Sequence, residues 1–196
     1  MNKLEVARRQ LGTALWLFMK DQDPISVQAL ARNSREIIEE LAVEAGREPY
    51  RVHALEANVG LTQRAYYAAM NRYGNAFKHI KRASDDTEIM AGFEDTMNDH
   101  LLFVGWYDYM VTTSRLPIEV QLFQIWYEAI YREKLNPSAD LFPDVSAIGR
   151  AEAKERLREG IEYFRRDNKV ISADTTERLP LLLPFPLSDA DRSMFE

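Results

Sequence analysis

The sequence predicts an all-α protein, a single-domain bundle of about six helices over residues 1–167 followed by an extended Pro/Leu-rich tail over 168–196. Three observations carry this reading. Apolar residues recur at steps of three and four, the breaks between such segments fall at Gly, Pro and Asp/Asn clusters, and no run alternates polar with apolar as a half-buried strand would. A chain of 196 residues is within the size that one core organises, and 46% hydrophobic with 29% charged residues is the balance of a globular rather than a disordered chain.

The elements follow in order. The first helix spans about 3–20, buries Leu4, Leu11, Leu15 and Phe18, and stops at Asp21-Gln22-Asp23-Pro24. Its charged residues Glu5, Arg8, Arg9 and Lys20 interrupt the apolar pattern, so it reads as a structural helix and not as a signal peptide. The second starts near Ser26 and draws an apolar stripe through Val27, Leu30, Ala31, Ile37, Ile38, Leu41 and Ala45, with charge on its other face, ending at Gly46. The irregular stretch 47–60 leaves room for one short helix at about 52–57. The third helix, about 62–83, places Tyr66, Met70, Tyr73, Phe77 and Ile80 at alternating steps of four and three, the repeat of a bundle seam.

The fourth, about 86–113, has an acidic first half and a second half, 101–110, that is apolar almost all round, as expected of a helix surrounded by others. Pro117 then opens a fifth helix marked by Leu122, Ile125, Trp126, Ala129 and Ile130, and Asn136-Pro137 ends that region. A more polar sixth helix covers about 146–167, with Ile148, Leu157, Ile161 and Phe164 as its stripe. The tail carries Pro180, Pro184 and Pro186 among Leu179, Leu181, Leu182, Leu183, Phe185 and Leu187, so it cannot be helical and is too apolar to stay in water. It is expected to lie extended over a groove of its own subunit or of a neighbour.

Composition excludes several classes of function. A net charge of −6 and a pI near 5.2 confine any polyanion to a local patch, and the absence of cysteine removes disulfides and thiolate metal sites, in keeping with a cytoplasmic location. The longest apolar stretch is far short of the about 20 residues that span a bilayer, so no membrane partner is expected. The glycines are scattered singly, which leaves no phosphate-cradling loop, and neither a nucleophile elbow nor a His-Glu-x-x-His or Glu-x-x-His metal helix is present. No cofactor is expected.

The chemistry that remains gathers around two places. His53 sits in the irregular stretch and reads as a solvated histidine. On the third helix, steps of 100° put Arg72, Asn75 and His79 within about 60° of one another, on a stripe bordering the apolar seam. The surrounding residues Arg64, Arg72, Lys78, Lys81 and Arg82 occur between 61 and 83 without an acidic residue. A fixed cation, an amide and a group that moves protons near neutral pH are the tools for cleaving RNA without a metal. Equally, this basic helix pairs with the acidic run Asp85, Asp86, Glu88, Glu94, Asp95 and Asp99 of the fourth. The second place is a metal alternative, with His100 or His79 joined by Asp99, Asp95, Glu36 and Glu40, the carboxylates standing in pairs one turn apart.

The segments Asn75-Ala76-Phe77-Lys78-His79, Asn98-Asp99-His100 with Trp106-Tyr107-Asp108-Tyr109, and Pro117-Ile118-Glu119 leading to Gln124-Ile125-Trp126-Tyr127 resemble those of a bacterial family of all-helical proteins with an Asn-x-Phe-Lys-His motif, a likeness that brings no function with it. More remotely the arrangement resembles the HEPN superfamily, helical bundles that often act as ribonucleases of toxin–antitoxin and antiphage systems through an Arg followed by four to six residues and a His. Arg72 and His79 enclose six. The resemblance implies a dimer whose motif helices face each other, with Arg72 binding phosphate and His79 assisting attack by the ribose 2′-hydroxyl; Tyr73 stands where that family usually has a polar residue, and Asn75 is the nearest substitute. Three functions stay open: a helical interaction protein, a metal-independent HEPN-like ribonuclease, and a metal-binding bundle enzyme. The corresponding partners are a second copy of the chain, another protein or RNA.

Overall fold

A computed structural model describes residues 1–78, 92–132 and 148–195. Among them are eight α-helices and no strand, so the all-α class holds: α1 (Lys3–Met19), α2 (Pro24–Glu44), α3 (Tyr50–Ala57), α4 (Gln63–Lys78), α5 (Thr96–Thr113), α6 (Ile118–Ile130), α7 (Arg150–Arg166) and the short α8 (Asp189–Arg192), which runs into a 3-10 turn at Ser193–Phe195. The chain groups into two compact units, Met1–Ser114 with Leu182–Glu196, and Arg115–Leu181.

In the first unit, local chemistry sets the helix ends. The Asn2 side chain accepts the Glu5 N–H at 2.9 Å to open α1. Asp23 accepts the Ile25 and Ser26 N–H groups to open α2, whose first residue is Pro24, where a missing N–H costs nothing. Gly46, at φ +67°, takes the left-handed conformation that lets the chain leave α2. α1, α2 and α5 pack on one another around Ala7, Leu11, Leu15, Phe18, Val27, Ile38, Leu102 and Trp106. Gly105 allows this close approach, since a Cβ there would lie 2.9 Å from Leu11 Cδ2.

α2 is the most covered element, with α1, α4 and α5 all against it. Its expected stripe is shifted accordingly. Val27, Ala31, Ile38 and Ala42 are fully buried, Leu30, Ile37 and Leu41 are half-buried, and Gln28, Arg32, Arg35 and Glu39 of the charged face are buried as well. α5 is buried through Leu101–Gly105, Trp106 and Tyr109, as its all-round apolar run implies, but it carries Asp108 inside.

The tail's 182–195 part belongs to the first unit. Arg9, itself held by Glu5, donates to the carbonyl oxygens of Leu183 (3.1 Å) and Pro184 (2.8 Å), and the Asn2 amide donates to the Phe195 carbonyl. Leu187 and Phe195 are buried there, while Phe185 is 81% exposed above the Arg9 guanidinium.

In the second unit α6 packs against α7. The inward residues of α6 are Val120, Phe123, Trp126 and Tyr127, whereas Leu122, Ile125, Ala129 and Ile130 of the expected stripe are half-buried. α7 buries Ala153, Leu157 and Ile161. A short parallel bridge joins Leu116 to Thr176, and the Gln121 amide fastens it by donating to the carbonyls of Leu116 and Thr175 and to the Thr176 hydroxyl. Leu179 and Leu181 are buried.

Candidate functional site: a buried charge network under an acidic groove

The polar residues of α2 recur as Gln28, Arg32, Arg35 and Glu39, at steps of four, three and four, the same repeat as the apolar stripe beside them. This register turns them toward α4. Arg32 crosses to that helix over Gly74, where a Cβ would lie only 2.1 Å from Arg32 Cδ, so the lack of a side chain at 74 is what gives the arginine its passage. It donates from Nε to Asn71 Oδ1 (3.2 Å) and from Nη2 to Asn75 Oδ1 (3.3 Å), and it pairs with Glu36 at 2.9 Å. Arg35, 0% exposed, donates to Asn71 Oδ1 (3.3 Å) and to Glu39 Oε2 (2.7 Å).

Glu39 is the hub. Besides Arg35 it accepts from Arg51 Nε of α3 (2.8 Å) and from the Tyr67 hydroxyl of α4 (2.7 Å). The bond to Glu39 holds the Arg51 guanidinium more firmly protonated, and burial together with the same carboxylate pushes the Tyr67 hydroxyl pKa up. Three donors on one buried carboxylate offset its desolvation and lock three helices in register.

Asp108 lies at the inner end of this network. Its Oδ1 accepts the Tyr50 N–H at 2.6 Å, at the first turn of α3, a helix with no side-chain cap of its own. Its Oδ2 is buried without a hydrogen-bond partner among the described residues, as are the Tyr66 hydroxyl and Arg35 Nε. Burial pushes the Asp108 carboxyl up to about 7, against the Tyr50 N–H, which favours the anion; Glu39 adds to the rise, and Arg35 and Arg51 oppose it. Burial also raises Tyr66 and Tyr50. Outside the network, an open groove of about 490 Å³ is lined by Glu36, Glu39, Glu40, Val43, Glu44, Arg51 and Tyr67.

The sequence-predicted residues distribute as follows. Arg72 is exposed and stacks over the neighbouring Tyr73 ring (5.5 Å). Asn75 is exposed and engaged by Arg32, and His79 lies outside the described residues. Asp95 accepts from the Asn98 amide at 3.2 Å, Asp99 is fully buried, and His100 is half-buried; both Asp99 and His100 have interactions of their own. Glu36 and Glu40 line the groove, away from a metal set, and no group of three or more His, Asp or Glu able to hold a metal ion occurs among the described residues. His53, on α3, is exposed and meets the Tyr107 ring edge-on at 5.9 Å. No described helix is long and apolar enough to cross a membrane.

Arg35, Glu39, Arg51, Tyr67 and Asp108 are the residues that sequence reasoning missed. The four-three-four repeat of Gln28, Arg32, Arg35 and Glu39, and a lone Asp108 inside an apolar run, are the signals that could have found them. Comparison of the chain with protein-family models, curated proteins and solved structures gave no match.

Proposed function

We propose that the protein is a non-catalytic helical binding protein and that the groove among α2, α3 and α4 receives a basic segment of a protein partner. The observation that carries this reading is the groove's charge balance: Glu36, Glu39, Glu40 and Glu44 line it, and Arg51 is the one cation among its described lining residues. While Arg32 holds Glu36 and Arg35 and Arg51 hold Glu39, Glu40 and Glu44 have no cation partner among the described residues. Glu39 is fixed from behind by Arg35 and Tyr67, so part of the ordering cost of binding is already met. Half-exposed Val43 and the Tyr67 ring supply apolar surface against which a lysine or arginine stem can lie.

The test is titration with an acetylated pentalysine peptide. Binding is expected to weaken with added salt, and the double substitution Glu40→Lys/Glu44→Lys should lower affinity at least tenfold, whereas Glu152→Lys/Glu155→Lys on exposed α7 should leave it nearly unchanged. Equal losses in both variants, or no binding by the parent, would defeat the assignment.

The HEPN-like ribonuclease is a second reading, favoured by the exposed Arg72 guanidinium, which has no carboxylate partner among the described residues. It predicts a dimer that cuts RNA without divalent metal, His79→Ala abolishing cleavage with the helical spectrum unchanged and Arg72→Ala weakening RNA binding and its salt dependence. A protein that leaves RNA intact at every salt concentration sinks this reading.

A further inference from the structure

α3 is placed like a lid. None of its side chains is fully buried, it has no side-chain cap, and it contributes Arg51 to the groove by laying it on Glu39. The contacts that seat it include the Tyr50 N–H on Asp108 Oδ1, the Tyr50 ring edge-on to Phe103 (5.7 Å) and Tyr107 (5.4 Å), the His53 ring edge-on to Tyr107 (5.9 Å), and Arg51 paired with Glu39 and over the Tyr67 ring (5.8 Å). The groups that act on Asp108 come from every element around it: Arg35 and Glu39 of α2, Tyr50 and Arg51 of α3, Tyr66 of α4, and Tyr107 of its own helix.

We propose that Asp108 is a proton-operated latch on α3: carrying its proton it keeps the helix seated over Glu39, and on losing the proton it lets the helix lift, which moves Arg51 away and uncovers Glu39 for a basic ligand.

The argument is geometric first. A protonated carboxyl still accepts the Tyr50 N–H through one oxygen and adds no charge to the buried Arg35–Glu39 pair beside it. An ionised one places a second negative charge near Glu39, and the two arginines nearby are already on Glu39: Arg35 at 2.7 Å and Arg51 at 2.8 Å. The buried Oδ2 then has no donor among the described residues, and water reaches it most cheaply by movement of α3, the one helix of those around Asp108 with no fully buried side chain. Arg51 travels with that helix, so the groove loses the one cation of its described lining at the moment the hub carboxylate opens.

A carboxyl that titrates near pH 7 when α3 is seated, and near 3.8 when it is solvated, makes the seated-to-lifted ratio fall with rising pH, by about tenfold between pH 6 and pH 8. The ligand-binding half of the inference rests on the groove reading above; the motion of α3 does not.

Amide hydrogen exchange of residues 50–57, corrected for the intrinsic pH dependence of exchange, measures the motion without ligand. Protection in the unsubstituted protein is expected to fall about tenfold from pH 6 to pH 8, and Asp108→Asn, neutral at every pH with the acceptor kept, should stay protected throughout. Carboxyl-carbon NMR of the unsubstituted protein provides a check independent of any variant, with Asp108 titrating near neutrality. In parallel, affinity for acetylated pentalysine should rise about tenfold over the same interval and remain low in Asp108→Asn. Flat protection in the unsubstituted protein, an Asp108 resonance that titrates near pH 4, or an Asp108→Asn variant that follows the parent would each overturn the latch. Falling protection with no peptide binding at any pH would overturn the groove reading and the uncovering of Glu39 while leaving the motion of α3 established.

Discussion

α2 and α7 are written in the same letters and used in opposite ways. Both are long helices rich in Arg and Glu, and both set those residues a turn apart, Arg32–Glu36 and Arg35–Glu39 in α2, Glu152–Arg156 and Glu155–Arg158 in α7. In α7 the acid precedes the base, the order that suits the helix dipole and stabilises a helix in water, and its pairs face solvent. In α2 the base precedes the acid, the poorer order for a lone helix, and the pairs are buried or half-buried. The α2 arrangement is therefore fixed by partners on other helices, namely Asn71, Asn75, Tyr67 and Arg51. Between these two helices the order of sign thus goes with burial, although in α1 the acid-first pair Glu5–Arg9 is also largely buried and Arg9 reaches tail carbonyls as well.

The largest expected effect is at the hub. Glu39→Ala removes the acceptor of three donors and leaves Arg35 buried with its charge uncompensated, a loss of about 3 to 5 kcal/mol of folding stability. Glu39→Gln should recover part of it by retaining an acceptor for the Tyr67 hydroxyl. Denaturant unfolding of the two variants checks this, and a cost below about 1 kcal/mol for Glu39→Ala would mean that the α2 network is as dispensable as a surface pair.

Asp108 adds a pH dependence to the buried network. Its carboxyl titrates at about 7 when folded and near 3.8 otherwise. The stability it contributes in the protonated form is therefore fully present below about pH 4 and lost as the pH rises through 7. Asp108→Asn keeps that contribution, so it should be about 2 kcal/mol more stable than the parent at pH 8, a figure reduced from the full shift by water reaching the site, with the difference vanishing by pH 4. Chemical unfolding from pH 4 to pH 8 reads it directly.

This contrast also says what a sequence can and cannot disclose. The α1, α2 and α7 positions were legible because apolar spacing and end signals such as Asp23-Pro24 and Gly46 are local facts, whereas the helix expected over 86–113 starts only at Thr96, as α5, with residues 92–95 non-helical. The tail's apolar character was legible too, but its division, with Leu187 buried and Phe185 outward over Arg9, depends on carbonyls that Arg9 reaches from 174 residues away. The charged face of α2 looked like a solvated one because burial of Arg35 and Glu39 is decided by α3 and α4, and no local rule encodes a distant Tyr67 or Asn71. Asp108 was visible as an oddity within 101–110, yet its role depends on the Tyr50 N–H, far along the chain. Of the residues singled out for chemistry, Glu36 and Glu40 fall at the groove and Asn75 at the edge of the network, and their roles there come from the neighbours the fold supplies.

The smallest effect belongs to α7 and completes the comparison. Glu152 and Arg156 meet at 2.9 Å, but both side chains are more than half exposed, so water screens the attraction and the freedom lost in holding two long side chains offsets most of what remains. Arg156→Ala should change stability by no more than about 0.5 kcal/mol, because alanine's higher helix propensity compensates for the lost exposed pair. A double-mutant cycle with Glu152→Ala isolates the coupling. A value above about 1 kcal/mol would show that an exposed pair in the favourable order can rival the buried network, and the distinction between the two helices would then lie in geometry alone and not in burial.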